Sequence, residues 1–114
     1  MAVNRFEREA ARWDGAPWRM ALARSVAEAI QAQVPLSGTD AALDYGCGTG
    51  LLTLALRPAV GRITGVDTSP AMLGRLEAKL AEVPDAGVEA VLLDAEHPLR
   101  SLPPVDLITS SMTL

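Results

Sequence analysis

Three glycines at alternate positions, with an acid just before them, are the residues of this sequence best suited to hold a ligand. They lie in ALDYGCGTG (residues 42–50), which contains Asp44, Gly46, Gly48 and Gly50. The apolar run before them predicts a strand, and the run after them predicts a helix. We expect Gly46 to permit a tight turn, Gly48 to let a ligand approach the main chain, and Gly50 to relieve crowding between helix and strand. The loop predicts a ligand site, with a purely structural turn as the alternative.

Two further acids follow at the ends of later predicted strands. Asp67 ends the second strand and Asp94 ends the third. The carboxyl ends of parallel strands lie at one edge of a sheet, where ligands of open α/β folds bind. A carboxylate at Asp67 can accept hydrogen bonds from both hydroxyls of a ribose. The three strand ends together predict a nucleoside pocket, although Asp67 could instead be a solvated acid in a strand-to-helix turn.

The spacing of the glycines bears on which nucleoside would bind. Dinucleotide folds favour G-x-G-x-x-G, with the helix N-terminus facing a pyrophosphate, whereas this loop reads G-x-G-x-G. Asp44, just before the first glycine, would repel a diphosphate and attract a cationic amino group. The loop therefore favours a cofactor that carries an ammonium and a sulfonium over NAD, and an NAD(P)-binding fragment remains an alternative.

The elements that must position these residues alternate between strands and helices. A first helix is predicted from Pro17 to the break at Pro35, because its apolar residues fall on one face. Ser69 and Pro70 are suited to the N-cap and first turn of a later helix. Such alternation predicts a doubly wound parallel α/β sheet. The predicted strands are 41–45, 62–66, 88–93 and 105–110, and the helices between them are 50–57 and 70–82.

Composition limits the classes of partner. The chain has 114 residues, one cysteine and a net charge of −4. The length predicts a single domain, and the lone cysteine excludes internal disulfides and a multi-cysteine zinc site. No residue is assigned to a metal. It shows no cluster of Lys and Arg for nucleic acid and no apolar stretch of the ~20 residues that a membrane helix needs. Charged residues interrupt the N-terminus where a signal peptide would be apolar. We therefore expect a cytoplasmic protein that binds neither nucleic acid nor membrane.

Four stretches of the sequence, in this order and spacing, resemble the motifs of class I S-adenosylmethionine-dependent methyltransferases: LDYGCGTG, GVDTSPAML, LLDAEH and DLITSSMTL. The leader FEREAARWD is also similar to the branch that includes ubiquinone- and menaquinone-biosynthesis enzymes. The resemblance runs from about Phe6 to Leu114. It implies a Rossmann-like sheet with about four of the usual seven strands, in the order 3-2-1-4. Residues 1–34 would form a leader and helix on the substrate side, and residues 35–114 the cofactor-binding half-domain.

The resemblance also implies contacts with S-adenosylmethionine at the first two strands. Asp44 and the main chain of Gly46, Gly48 and Gly50 would hold the methionine moiety. Asp67 would bind the ribose hydroxyls. The product of the reaction would be S-adenosylhomocysteine.

Further contacts are implied around the adenine. Thr68 and Met72 would flank the ring. Asp94 would accept a hydrogen bond from the adenine amino group, and Ala95 would supply a main-chain contact.

The methyl group would lie at the end of the fourth strand, bordered by Ser110 and Ser111. Methyl transfer from a sulfonium is an in-line displacement, which depends mainly on alignment and exclusion of water. No catalytic residue is assigned. His97 could act as a base, but a solvated loop histidine is the preferred interpretation, and Cys47 is interpreted as a small structural residue.

The sequence stops where the fourth strand is predicted to end, so that strand would lie at an exposed edge. We expect a missing C-terminal segment or a partner chain to cover it, since the chain could be part of a longer enzyme or a truncated product. Three functions are considered: a methyltransferase acting on a small-molecule acceptor, a non-catalytic remnant that binds the cofactor, and an NAD(P)-binding fragment.

Overall fold

The computed structural model describes residues 16–110. The leader up to residue 15 and the predicted contact at Ser111 lie outside the described residues. The secondary structure consists of α-helices and strands in the following order: α1 (Pro17–Gln33), β1 (Ala41–Tyr45), α2 (Leu51–Leu56), β2 (Arg62–Asp67), α3 (Pro70–Glu82), β3 (Val88–Leu92) and β4 (Leu107–Thr109), with short 3₁₀ turns at Arg57–Ala59 and Leu99–Ser101.

The four strands form one parallel sheet in the order β3-β2-β1-β4. This order confirms the predicted α/β, Rossmann-like fold with strand order 3-2-1-4. Tyr45 at the end of β1 is paired with Val66, and Asp67 at the end of β2 is paired with Leu92. The first three strands therefore end at nearly the same level, and the loops that follow them share one edge of the sheet.

The helices bury their apolar sides against the sheet and against one another. Helix α3 begins as predicted, because the Ser69 hydroxyl accepts a hydrogen bond from the Met72 amide at 3.2 Å and Pro70 occupies the first turn. The core lies between α1, α2 and one face of the sheet, and α3 contributes buried leucines at its own interface. The largest fully buried apolar side chains are those of Leu56, Ile63, Val66 and Leu76.

Strand β4 is shorter than the predicted 105–110. The carboxylate of Asp106 accepts a hydrogen bond from the Ala41 amide, and the Asp106 amide donates to the Ala41 carbonyl, each at 2.8 Å. A side chain thus takes the place of a ladder bond, and the preceding Pro103 and Pro104 have no amide to donate. Regular pairing begins at Leu107 for this reason.

None of the α-helices within residues 16–110 is long and apolar enough to cross a membrane.

Candidate functional site

The glycine loop, residues 46–50, follows β1 in a conformation that requires glycine. Gly46, Gly48 and Gly50 have φ angles of 70°, 58° and 87°, in the left-handed region that side chains disfavour. The amides of Gly46 and Cys47 both donate to the carbonyl of Val66, at 2.8 and 2.9 Å. The loop is therefore attached to the end of β2 as well as to β1.

Two of the glycines face different surroundings. A Cβ atom added at Gly48 would meet no atom within 4 Å, so this residue borders open space. A Cβ atom at Gly50 would lie 2.5 Å from Leu76 Cδ1. Gly50 was expected to relieve crowding between helix and strand, but the side chain that approaches it is Leu76 of α3.

Cys47 packs inward from the same loop. Its sulfur lies 2.9 Å from where a Cβ atom would stand on Gly65 of β2. Burial, reinforced by the negative charges of Asp44 and Asp67, raises the pKa of the Cys47 thiol far above its usual range. A thiol that stays protonated is a poor nucleophile, and the geometry supports the structural interpretation of this residue.

Asp67 connects the end of β2 to the glycine loop. Its Oδ2 atom accepts a hydrogen bond from the Gly48 amide at 2.8 Å, and its Oδ1 atom accepts one from the Ser69 amide at 2.9 Å. The same carboxylate thus orients the loop and the first residues leading into α3. Each oxygen retains acceptor capacity, because an ionised carboxylate offers about four lone-pair positions.

Asp44 lies beneath the loop, with only 2% of its surface exposed. Its two carboxylate oxygens accept hydrogen bonds from the hydroxyls of Thr53 on α2, at 2.7 Å, and Thr109 on β4, at 3.0 Å. Burial raises the pKa of Asp44, the two hydroxyls oppose that shift, and the nearby charge of Asp67 adds to it. This buried cluster joins three elements under the site.

Sequence reasoning did not identify Thr53 and Thr109 as partners of Asp44. Both are buried. Thr53 is a lone hydroxyl residue in the apolar run LLTLAL, whereas Thr109 begins a run of three hydroxyl residues after Leu107 and Ile108. Thr53 is nine residues from Asp44, but Thr109 is 65 residues away. The second contact depends on β4 pairing next to β1, which the sequence predicts only through the strand order.

Asp94 lies in the exposed loop after β3. Its Oδ1 atom accepts hydrogen bonds from the amides of Glu96 at 2.9 Å and His97 at 2.7 Å. These contacts, with the backbone of His97 contributing most, lower the pKa of Asp94. The His97 ring is largely exposed, and its Nδ1 atom lies 3.1 Å from Asp94 Oδ1, which fits the preferred interpretation of a loop histidine.

The other predicted site residues lie around the same edge. Thr68, Ala95 and Ser110 are exposed, and Met72 is half-buried in the first turn of α3. The structure brings Gly48 and Asp67 into direct contact and places Asp94 two residues beyond Leu92, the strand partner of Asp67.

A cavity borders the edge strand. This open groove, of about 340 Å³, lies between α1 and β4, with the first turn of α2 at its base. Ile108 on its rim is 64% exposed. The groove is lined by Val26, Ile30, Val34, Leu52, Leu107, Ile108, Thr109 and Ser110.

Residues 42–114 match the family model described as a methyltransferase domain. An uncharacterized methyltransferase of Mycobacterium tuberculosis is 38% identical over 69 residues, which is 60% of this chain and 34% of the relative. The biotin biosynthesis bifunctional protein BioCD of Bordetella avium is 34% identical over 115 residues, which is 98% of this chain and 24% of the relative. The chain thus spans about a third or less of the length of these relatives.

Solved structures agree with the family model. A Methanococcus maripaludis protein described as an S-adenosyl-L-methionine-dependent methyltransferase matches with a TM-score of 0.78 at 20% identity, covering 99% of this chain and 53% of that one. The magnesium protoporphyrin IX methyltransferase of Synechocystis, solved with S-adenosylhomocysteine bound, matches with a TM-score of 0.61 at 25% identity. This match covers 96% of this chain and 47% of the Synechocystis chain. The chain therefore belongs to the methyltransferase-domain family and has the fold of the class I S-adenosylmethionine-dependent methyltransferases.

Proposed function

We propose that this chain binds S-adenosylmethionine at the carboxyl edge of β1, β2 and β3 and contributes that site to methyl transfer onto a small-molecule acceptor. The observation that carries the proposal is the contact between Asp67 and the Gly48 amide, 2.8 Å apart. It places a carboxylate suited to ribose hydroxyls directly beside a loop that borders open space at Gly48. Family membership supports the same ligand.

The adenosine half of the ligand fits the ends of β2 and β3. Asp67 makes one hydrogen bond through each oxygen, which leaves lone pairs for two ribose hydroxyls. Thr68 and Met72 follow on the way into α3 and would flank the adenine. Asp94 Oδ1 is engaged by its own loop, so its Oδ2 atom is the acceptor we assign to the adenine amino group, with Ala95 next to it.

The methionine half fits the glycine loop, where the main chain of Gly46, Gly48 and Gly50 would hold it. Asp44 is buried under this loop, and we propose that it acts through the loop and its electrostatic potential rather than by touching the ligand. In its ionised form, this buried carboxylate attracts an ammonium or a sulfonium and repels a diphosphate. The charge beneath the loop thus favours S-adenosylmethionine over NAD.

Bound S-adenosylmethionine supplies an electrophilic methyl group on a sulfonium. The protein's task is then to align the acceptor in line with that methyl group and to exclude water. Ser110, exposed at the end of β4, borders the position we assign to the methyl group. The solved relative from Synechocystis is named for the methylation of a porphyrin, which is consistent with a small-molecule acceptor.

We further propose that a strand and helix from the remainder of a methyltransferase domain cover β4 and complete the acceptor pocket. The apolar groove beside β4 and the exposed side chain of Ile108 support this proposal. The share of the relatives that this chain spans supports it as well.

Calorimetric titration of the chain with S-adenosylhomocysteine and, separately, with NAD tests the cofactor proposal. We expect saturable heat with S-adenosylhomocysteine and none with NAD. Binding of NAD alone would favour the dinucleotide alternative, and binding of neither ligand by the folded chain would contradict the proposed site. A methyl-transfer assay on a chain that binds the cofactor then separates an enzyme from a non-catalytic remnant.

A further inference from the structure

Lys79, in the last turn of α3, reaches back to the glycine loop. Its ammonium donates a hydrogen bond to the Thr49 carbonyl at 2.9 Å. Lys79 is the only lysine of the chain, and it is 30 residues from Thr49 in sequence. Nothing in the glycine motif or in the leucine pattern of α3 indicates this contact.

The contact fixes one peptide group from both sides. The carbonyl of Thr49 accepts from Lys79 at 2.9 Å, and the amide of the same peptide group, on Gly50, donates to the Cys47 carbonyl at 3.0 Å. Glycines tolerate many backbone conformations, so a loop with three of them loses much entropy when it is ordered. A peptide group held at both ends has already lost that freedom before a ligand arrives.

Helix α3 also holds the loop at a second point. Leu76, one turn before Lys79, packs where Gly50 has no side chain. Leu76 is completely buried, whereas Lys79 is half-buried. The two contacts therefore differ in kind, because the leucine supports the core and the lysine adds a charged hydrogen bond to the loop backbone.

We propose that Lys79 is a positioning residue for the cofactor loop, which holds the Thr49–Gly50 peptide in its binding conformation without touching the ligand. The inference rests on the proposed function, since the loop is the site assigned to the methionine moiety. Its effect is on affinity, because ordering a loop in advance removes that cost from binding.

The first test compares three variants by calorimetric titration with S-adenosylhomocysteine. Lys79→Met keeps the length of the side chain and removes the donor, and we expect about tenfold weaker binding. Lys79→Arg keeps a cationic donor, and we expect it to recover most of that loss. Arg62→Met removes one positive charge at the opposite edge of the sheet and should bind like the unmodified chain.

The second test needs no ligand. Hydrogen exchange of the Gly50 amide, followed by NMR, reports directly on the peptide group that Lys79 holds. We expect faster exchange in Lys79→Met, with Lys79→Arg and Arg62→Met close to the unmodified chain. The melting temperature of each variant is measured in parallel to identify a general loss of stability.

The outcomes separate this inference from the proposed function. If the unmodified chain does not bind S-adenosylhomocysteine, the proposed function fails, and the exchange rates still decide whether Lys79 orders the loop. If the unmodified chain binds and Lys79→Met binds equally well, or its Gly50 amide exchanges at the unmodified rate, Lys79 is not a positioning residue. A lower melting temperature with unchanged affinity would likewise assign it a purely structural role.

Discussion

The carboxylate of Asp67 and the amide of Gly48 are joined by a hydrogen bond of 2.8 Å across 19 residues of sequence. The contact connects the end of β2 to the middle of the glycine loop on β1. A side chain proposed to bind the ribose therefore also shapes the loop proposed to bind the methionine moiety. The two halves of the candidate site share one anchor.

Replacing Asp67 with alanine tests this anchor. We expect S-adenosylhomocysteine to bind more weakly by about 1–3 kcal/mol, because buried polar groups lose their partner. The Gly48 amide would also lose its acceptor, so the exchange of that amide should become faster. Calorimetric titration and amide exchange measure the two effects. Unchanged affinity in a folded variant would remove Asp67 from the site.

Asp106→Ala is a matched control for that substitution. Asp106 also accepts a hydrogen bond from a backbone amide at 2.8 Å, that of Ala41, but at the opposite end of the strands. Its loss should cost about 1 kcal/mol of unfolding free energy and leave the affinity for S-adenosylhomocysteine unchanged. An equal loss of affinity in both variants would show that the effect at Asp67 is a general weakening of the fold.

Substitution by alanine should destabilise the chain at both Gly48 and Gly50, but to different extents. Gly48→Ala introduces a methyl group into open space, with a backbone cost of about 1–2 kcal/mol for a positive φ angle. Gly50→Ala has the same kind of backbone cost and also overlaps Leu76, which adds about 1–3 kcal/mol. We therefore expect Gly50→Ala to be the less stable variant in urea unfolding.

Ligand binding should rank these two variants in the reverse order. The methyl group of Gly48→Ala would occupy space assigned to the ligand, whereas that of Gly50→Ala faces α3. Titrating S-adenosylhomocysteine into each variant under conditions where it is folded measures this difference. A larger loss of affinity for Gly50→Ala would place the ligand elsewhere.

The fold was largely predictable because its signals are local. The alternation of apolar strands with helices and the Ser69–Pro70 start of α3 are features of neighbouring residues. The start of β4 was not predictable from the sequence, because it depends on the side chain of Asp106, which replaces a ladder bond with Ala41. The pattern of apolar residues does not indicate that a side-chain carboxylate takes the place of a backbone acceptor there.

The candidate site was predictable to a smaller extent. The glycines and Asp67 are marked by residue type and by position at strand ends. The contacts that hold these residues in place have no such sequence signal. Lys79 is 30 residues from its partner Thr49, and Thr109 is 65 residues from its partner Asp44. Such contacts depend on how elements pack, which hydrophobic periodicity does not specify.

The buried Asp44 predicts a pH dependence of stability. Its pKa in the folded state is raised above 3.8, chiefly by burial. The folded state therefore holds a proton that the unfolded state has released, and stability falls as pH rises from about 4 through the folded-state pKa. In that window, the unfolding free energy of the unmodified chain should fall relative to Asp44→Asn by up to about 1.4 kcal/mol per pH unit.

Urea unfolding of both proteins between pH 3 and pH 8 measures this difference. Asparagine preserves the shape of the side chain, and the hydroxyls of Thr53 and Thr109 can rotate to suit it. Subtracting the two curves removes the contributions of other carboxylates, such as Asp85, whose pKa is lowered by Arg57. A difference that stays constant with pH would mean that Asp44 ionises as readily in the folded state as in the unfolded chain.

The edge strand predicts self-association. Ile108 is 64% exposed on β4, which has a strand neighbour on only one side among residues 16–110. An apolar edge with unpaired backbone groups favours pairing with another chain, and an edge lysine opposes it. We expect Ile108→Lys to reduce concentration-dependent association in analytical ultracentrifugation, and Arg62→Lys, at the amino end of β2, to leave it unchanged. Equal association of Ile108→Lys and the unmodified chain would show that β4 does not mediate it, and would remove one argument that a further strand covers this edge.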